Sequence, residues 1–381
     1  MSKTSFASFC TALLWIALST LGFAQGGHHS QQPTLTPQNS NTTQLLIAVS
    51  AVNSNVVWAA GTGGTYVTTT DGGNTWISGV VPGTDQLQFR GVYAVSDKIA
   101  YLLSIGDDPT NFQVYKTTDG GANWTTQFTN QIQAGFLDCI AFWDADRGIA
   151  QDDSVNGVFP DIRTENGRTW QYIAKNMPPA LTGEASFAAS NTCITTEGEN
   201  NAWAATGGGS VARILATTDG GNSWNAYDTP LEVSASGGAI SVAFRDSKHG
   251  VVGGGDLATN TNIDMASSHD GGQTWTLTNT PPLQGAIFCL AYANGNRQHG
   301  FGWNDGWGGG HQYDRTVVIT AETEPDFTSG SAAYTPDEGE TWYTLSNVSG
   351  YWAVGFANPQ AGWFVGNNGQ ILKISFPGHG H

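Results

Sequence analysis

Thr69-Thr70-Asp71-Gly72-Gly73-Asn74-Thr75-Trp76 decides the fold, because the same phrase returns five more times along the 381-residue chain. Three copies are close: Thr117 to Trp124, Thr217 to Trp224 and Ser268 to Trp275. Two are degenerate. Arg163 to Trp170 carries Glu165 in the place of Asp, and Thr335 to Trp342 carries Glu338 in the place of the first Gly. The acidic positions 71, 119, 165, 219, 270 and 337 lie 48, 46, 54, 51 and 67 residues apart. That period suits one four-stranded blade and is too long for a leucine-rich or ankyrin unit.

The phrase reads as a hairpin turn. An Asp side chain folds back onto backbone N–H groups two or three residues ahead, and glycines accept positive φ without strain. The Trp that opens the next strand offers a large apolar face to a neighbouring blade. Around the phrase lie short β-rich runs such as Gly91-Val-Tyr-Ala-Val95, Ile99 to Leu103 and Gln113-Val-Tyr-Lys116. Turn residues separate them, and a 3.6-residue apolar period is almost absent, which points to an all-β chain.

A second signal counts the blades independently. A strand of buried character precedes each box: Val56-Val-Trp-Ala-Ala60, Ile99 to Leu103, Gly148-Ile-Ala150, Ala202-Trp-Ala-Ala205, Gly250-Val-Val252 and Gly300-Phe-Gly-Trp303. A seventh copy, Gly362-Trp-Phe-Val365, is followed by Ile371-Leu-Lys-Ile374, and no fourth strand follows it. At the other end, Pro33-Thr-Leu-Thr36 running on to Leu45-Leu-Ile-Ala-Val49 resembles Trp275-Thr-Leu-Thr278 running on to Ile287-Phe-Cys-Leu290. The N-terminal segment is therefore expected to supply the outer strand of blade seven. The expected fold is an all-β, seven-bladed β-propeller of four-stranded antiparallel blades over residues 33–376, its ring closed by that strand.

The six boxes resemble the BNR or Asp-box repeat family, over roughly residues 33 to 376. Relatives include sialidases, xyloglucan-cleaving enzymes and photosystem II assembly factors, so the resemblance implies a fold and not one activity. A sialidase needs three arginines that grip a carboxylate. This chain has no arginine before Arg90 and lacks that family's early Arg-Ile-Pro phrase. The xyloglucan-cleaving relatives act between two facing propellers, and this chain provides one. In form it is similar to the single-propeller assembly factors, which dock on a partner protein through a basic patch. What that likeness implies here is a rigid, non-catalytic platform. The basic patch does not carry over, since the basic residues are few and scattered.

Composition bounds the partners. Residues 1–24 read as a secretory signal: Lys3, the apolar Leu13 to Leu18, and Gly22-Phe-Ala24 as a small-residue cleavage site. Residues 25–32 are expected as a disordered tail and residues 377–381 as a C-terminal one. The expected destination is the periplasm or the cell exterior, with no membrane span and a monomeric ring. Removing Lys3 leaves 13 basic against 31 acidic residues, a net charge of about −18. That balance argues against nucleic acid, since nothing neutralises phosphates. Of the mature cysteines, Cys139 and Cys193 each lie nine residues before a second-strand marker, which makes them equivalent positions on adjacent inner strands. Cys289 fits the same position once an insertion is allowed. They read either as small residues packing at the narrow inner strand or as a cross-blade disulfide with one thiol left over.

The box residues Asp71, Trp76, Asp119, Trp124, Glu165, Trp170, Asp219, Trp224, Asp270, Trp275, Asp337 and Trp342 are structural on this reading, because a carboxylate tied to backbone donors is a poor acid or base. The turns between second and third strands differ from blade to blade. They are short and Gly-rich in blades one, four and seven and longer elsewhere, where they carry Asp107, Asp108, Asp152, Asp153 and Asp256. Blade six adds an insertion with Trp303, Asp305, Trp307, His311, Tyr313, Asp314 and Arg315. Insertions confined to one face mark the binding face of a repeat protein. These residues are the candidate ligand contacts, set against solvated turn aspartates and a loop folded on its own propeller. No cofactor is required. Converging carboxylates could hold Ca²⁺, which takes six to eight oxygens, and His28, His29, His379 and His381 could form a weak metal site from two tails.

Two functions follow. The leading one is an exported, non-catalytic binding or assembly scaffold that recognises a protein or a glycan on the decorated face. The alternative is a glycan-active hydrolase that uses carboxylates of the same face. A close, desolvated carboxyl pair with one raised pKa favours the second, and open, hydrated aspartates favour the first. The phrases of Ser nucleophile elbows and phosphate loops are absent from the sequence.

Overall fold

Short β-rich runs separated by Gly, Asn and Asp turns can bury apolar side chains on both faces only when sheets stack radially. The chain does this seven times. The computed structural model describes residues 32–259, 261, 263–294, 313–323 and 330–378. Within them lie seven four-stranded antiparallel sheets and no α-helix. Blade one runs outward from the axis as Leu46–Ala51, Val57–Gly61, Thr65–Thr69 and Ile77–Val80. Its middle strands are wholly buried and its outer strand is largely exposed, as expected where each blade is covered by its neighbours. The other inner strands are Gln88–Ala94, Leu137–Phe142, Ile194–Glu197, Gly237–Phe244, Ala286–Tyr292 and Tyr351–Asn358.

Blade seven is completed from the N-terminal side, as expected. Thr34–Asn39 pairs antiparallel with Gln370–Ser375, in register from Thr34 opposite Ser375 to Asn39 opposite Gln370. Gln38 ties this strand into blade one. Its Oε1 accepts from the indole N–H of Trp76 at 3.1 Å and of Trp363 at 3.2 Å, and its Nε2 donates to the Gly72 carbonyl.

In the box turn, Thr69 Oγ1 donates to Asp71 and accepts from the Gly73 N–H, while Asp71 accepts from the Thr75 N–H at 2.9 Å and the Thr75 hydroxyl at 2.7 Å. Those Thr75 bonds hold the Asp71 carboxyl down to about 2. Asp119, Asp219, Asp270 and Asp337 sit in turns of the same kind. The third box is a correction. Asn166, not Glu165, takes the Asp position: Thr164 donates to it, and it accepts from the N–H groups of Arg168 and Thr169 at 2.9 Å. This turn is one residue shorter between Thr and Trp, so alignment on Trp170 shifts the acid by one place. Glu165 instead pairs with Arg163.

Each box turn is held by the preceding blade. Lys373 donates to the Gly72 carbonyl, Tyr66 to Gly121, Lys116 to Gly167, Arg163 to Gly220 and Trp203 to Gly271. The Asn279 N–H reaches Gly339. The approach is close enough to require glycine: a Cβ on Gly121 would lie 2.5 Å from the Tyr66 hydroxyl. The sixth turn places Glu338 where the others have Gly, at φ 59°. Its buried carboxylate is gripped by Arg245 at 2.7 Å, Arg315 at 3.0 Å and the Tyr292 hydroxyl at 2.9 Å.

In such a meander the strand 1–2 loops share one end of the ring with the boxes, and the strand 2–3 loops share the other, here termed the box face and the loop face. Blade six differs from expectation on this point. Its second strand is Val317–Glu322, not the segment from Gly300 to Trp303, so Tyr313, Asp314 and Arg315 precede that strand and lie on the box face. Tyr313 donates to the Pro377 carbonyl and packs on Phe376, Asp314 accepts from Asn294, and Arg315 reaches Glu338. None of these three is on the loop face.

At the axis, Ile47, Ala189, Ile240, Phe288 and Trp352 form one buried cluster. Four are the bulged residues of inner strands; Ala189 comes from the connection between blades three and four. That connection is pinned across the ring by Asn191, which accepts from the Ile140 N–H and donates to the Val92 carbonyl, and by Ser190 donating to the Phe288 carbonyl. Cys139 and Cys193 form the cross-blade disulfide, with Cα atoms 6.0 Å apart. Cys289 is the buried free thiol and faces Val354 of the next inner strand, where the matching cysteine is missing.

Replacing Gln38 by Ala leaves two buried indole N–H groups unpaired and should cost roughly 1–3 kcal/mol in urea unfolding. Gln38→Glu, which keeps the acceptor, should lose less. An unchanged midpoint in the Ala variant would show that the ring closes without this tie.

Candidate binding site

The proposed contacts on the loop face separate into two groups. Asp108 caps the short 3-10 turn Pro109–Asn111, accepting from the Thr110 N–H and hydroxyl, and Asp107 adjoins it. Asp256 accepts from Ser236 and from the N–H groups of Ala258 and Thr259. A hydrogen bond from Ser234, with these, holds its carboxyl near 2. Asp108 and Asp256 are committed to their own turns. Asp152 and Asp153 are different: they end the second strand of blade three, Gly148–Asp152, and join two carboxylates not singled out in the sequence, Asp138 and Asp161.

The four form a desolvated group with few donors. Asp138 is the bulged residue of its inner strand, 1% exposed, and its Oδ2 has no partner. Asp152 Oδ1 accepts from the Phe136 N–H at 2.7 Å, and Asp161 Oδ1 accepts from the Asp152 N–H at 3.0 Å; the Oδ2 of each is buried and unpartnered. Asp153 Oδ1 accepts from the Ser186 N–H at 2.8 Å. Burial pushes the carboxyls of Asp138 and Asp161 well above the ordinary range, Asp152 up to about 7 and Asp153 up to about 6. Neighbouring carboxylates push Asp138 further, and Arg90 opposes them. Arg90, the bulged residue of blade two, donates to the Ala188 carbonyl at 2.9 Å and lies 5.4 Å from the centre of the Trp352 ring. Burial lowers its pKa to about 10, which leaves it cationic at neutral pH.

Beside this group an open depression of about 490 Å³ lies between blades three and four. Ala134, Asp153, Asn156, Leu181, Thr182 and Glu184 are among the residues that line it. Glu184 is saturated: Arg213 grips both oxygens, and the Thr206 hydroxyl and Leu181 N–H complete it. Asp153 is thus the one carboxylate of the lining not paired with a cation. The floor is the connection that plugs the axis, which also carries the Ser154 hydroxyl bond to the Glu184 carbonyl. Among the described residues, no three His, Cys, Asp or Glu side chains converge so as to hold a metal ion. Trp303, Asp305, Trp307 and His311, and the histidines His28, His29, His379 and His381, lie outside the described residues.

The residues missed in the sequence left a faint trace. Asp138 and Arg90 are single charges in the apolar inner strands Leu137-Asp-Cys-Ile-Ala-Phe142 and Gln88-Phe-Arg-Gly-Val-Tyr-Ala94, one residue before Cys139 and Gly91. A charge at the same inner-strand position in adjacent blades has to face the axis. Asp161 and Glu184 gave no such signal.

With the geometry in place, comparison with known proteins adds the fold and its neighbours. In sequence the chain matches no protein-family model and no curated protein. In structure it is similar to YCF48 bound to D1 peptide, with a TM-score of 0.60 at 16% identity over 91% of this chain and 96% of that one. It is similar to YCF48 from Cyanidioschyzon merolae, at 0.59 and 18% identity over 90% of this chain and 98% of that one. The GH74 xyloglucanase from Xanthomonas campestris gives 0.58 at 11% identity over 89% of this chain and 53% of that one, about half its length. At these identities the likeness establishes the propeller and nothing finer.

A carboxyl whose folded-state pKa is raised stabilises the fold below the unfolded value, about 4, and that stability is lost as pH rises through the folded value. With folded values near 6 and 7, the loss runs from about pH 4 to about pH 7. Melting temperature should therefore fall by a few degrees across that window. Asp152→Asn, which keeps an acceptor for the Phe136 N–H, should flatten the fall. A profile that rises with pH would contradict the arrangement.

Proposed function

We propose that this chain is an exported, non-catalytic propeller of the Asp-box type that binds a protein segment on its loop face, at the depression between blades three and four. The observation that carries this reading is the depression itself, an open concavity floored by a connection pinned to four blades. Such a floor is a pre-formed surface and needs no ordering when a ligand arrives. The likeness to a propeller bound to a peptide adds support at the level of the fold. The secretory signal read in residues 1–24 supports export, to the periplasm or beyond the cell, and no helix of the described residues is long and apolar enough to cross a membrane.

A second reading, hydrolysis of a glycan, draws on the two neighbouring carboxyls held near 6 and 7. It requires two carboxyl groups facing one bound sugar about 5–9 Å apart. Here Asp152 is buried, Glu184 is locked by Arg213, and only Asp153 is left to act in the cavity. Binding is the better fit.

The test compares the mature protein with Thr182→Trp, an exposed position whose enlargement covers the depression. A partner from the native envelope fraction should be retained by the first and lost from the second, with melting temperature unchanged. Equal retention would place binding elsewhere. Release of reducing ends from a glycan panel, abolished by Asp153→Asn, would establish the hydrolase instead.

A further inference from the structure

The described basic residues are unevenly placed. Only Arg90 and Arg213 lie toward the loop face, and both are consumed internally, by the Ala188 carbonyl and the Asp138 field in one case and by Glu184 in the other. Every other described lysine or arginine except Lys175 is in a strand 1–2 loop, in or beside a box turn, or reaches a box carbonyl. Lys98, Arg147, Lys248 and Arg315 are examples of the first kind, and Lys116 and Lys373 of the last. Lys175 is an exposed residue of the connection from blade three to blade four, next to Asn176, which donates to the Gly221 box carbonyl. The loop face, by contrast, carries Asp107, Asp108, Asp153, Glu232, Asp256 and Asp264 with no free cation among the described residues. Behind the depression, Asp138, Asp152 and Asp161 each present a buried oxygen with no donor.

We infer that the depression receives one cationic group of a partner protein, a lysine or arginine side chain or an amino terminus, against the Asp153 carboxylate. The inference rests on the binding reading above and names the chemistry of its ligand. An ammonium there meets a partly desolvated carboxylate; burial holds Asp138 and Asp161 behind it in the neutral form, so the charge it meets is that of Asp153 itself. The neutral lining fits the aliphatic stem: Ala134, Leu181 and the Asn156-Gly157 tip are apolar or uncharged. An anionic ligand would meet the Asp153 carboxylate and a Glu184 already paired with Arg213, with no lysine or arginine in the lining, so it is disfavoured by the same geometry.

The charged groups around Asp153 are Asp152 at the end of the second strand, Asp138 with Arg90 on the inner strands, Asp161 just ahead of the third strand, Ile162–Thr164, and the Glu184–Arg213 pair on the plugging connection and blade four. Because Asp153 must be ionised to hold the cation, and is half protonated near pH 6, binding should release a proton and weaken in acid. The bound cation stabilises the charged form.

The experiment selects peptides from a display library of random 12-mers on the immobilised mature protein at pH 7.5. The expected binders share a lysine or arginine. They should lose at least about tenfold in affinity on Asp153→Asn, and on acetylation of the lysine, and bind several-fold more weakly at pH 5; tenfold corresponds to about 1.4 kcal/mol. Asp153→Asn retains an acceptor for the Ser186 N–H, and an unchanged melting temperature certifies its fold. Binders abolished by Thr182→Trp but indifferent to Asp153→Asn and to acetylation would overturn the cation inference and leave the platform standing. Binders indifferent to Thr182→Trp as well, or no binders at all, would overturn both.

Discussion

A box carbonyl reaching into the preceding blade is the contact on which the rest of the ring depends. An isolated four-stranded blade leaves both faces apolar and cannot be stable alone. What fixes its neighbour at the right angle is a directional bond at the rim, made at five boxes by a Tyr, Trp, Lys or Arg that leans across the gap and at the sixth by the Asn279 N–H. The donor varies because only its reach matters, and the acceptor does not because the turn must present its carbonyl at positive φ. The inward carboxylate of the box serves the turn and nothing else, which is why its hydrogen bonds leave no lone pair for chemistry. Where the chain crosses from its last strand to its first, Gln38 adds to the Lys373 bond on the Gly72 carbonyl one amide that serves two indoles.

Most of this was legible in the sequence because it is local and repeated. The Asp, Gly and Trp of each box are within eight residues of one another, so the phrase carries its own geometry. Reading failed where the phrase was read by its wrong end. In the third box the conserved element is the Thr164-to-Asn166 hydrogen bond, and the turn lost a residue before Trp170. In blade six the Gly and aromatic pattern from Gly300 to Trp303 imitates a second strand, while Val317–Glu322 performs that role without either marker residue. The error put Tyr313, Asp314 and Arg315 on the opposite face of the molecule, since in a meander one strand decides which end a loop joins.

The candidate site was half legible for a different reason. Asp152 and Asp153 stand in a loop whose length departs from the repeat, so position alone singled them out. Their companions come from the inner strand, the residue that leads into the third strand and a connector, and nothing local in sequence announces that Asp138, Asp161 and Glu184 converge with them. The disulfide lies on the same boundary. Equivalent inner-strand positions placed Cys139 and Cys193 on adjacent blades, and the structure closes the distance between them. Cys289 holds the same position against Val354, and remains a thiol because the next blade offers no sulfur.

The acidity of the loop face follows from the fold's own demand for cations. Of the few basic residues in this chain, most are taken by the box face, where Lys116, Arg163 and Lys373 hold turn carbonyls and Arg245 and Arg315 hold Glu338. A donor on the opposite face would satisfy no box. The loop face therefore receives carboxylates without counter-charges, and the two guanidiniums it does hold are spent on the plug that closes the axis. With the axis blocked, the open depression lies off it, against the connection from blade three to blade four, and the unpaired charge in its lining is that of Asp153. Scaffold and specificity are in this sense one constraint: where the ring needs its cations determines where it can offer its anions.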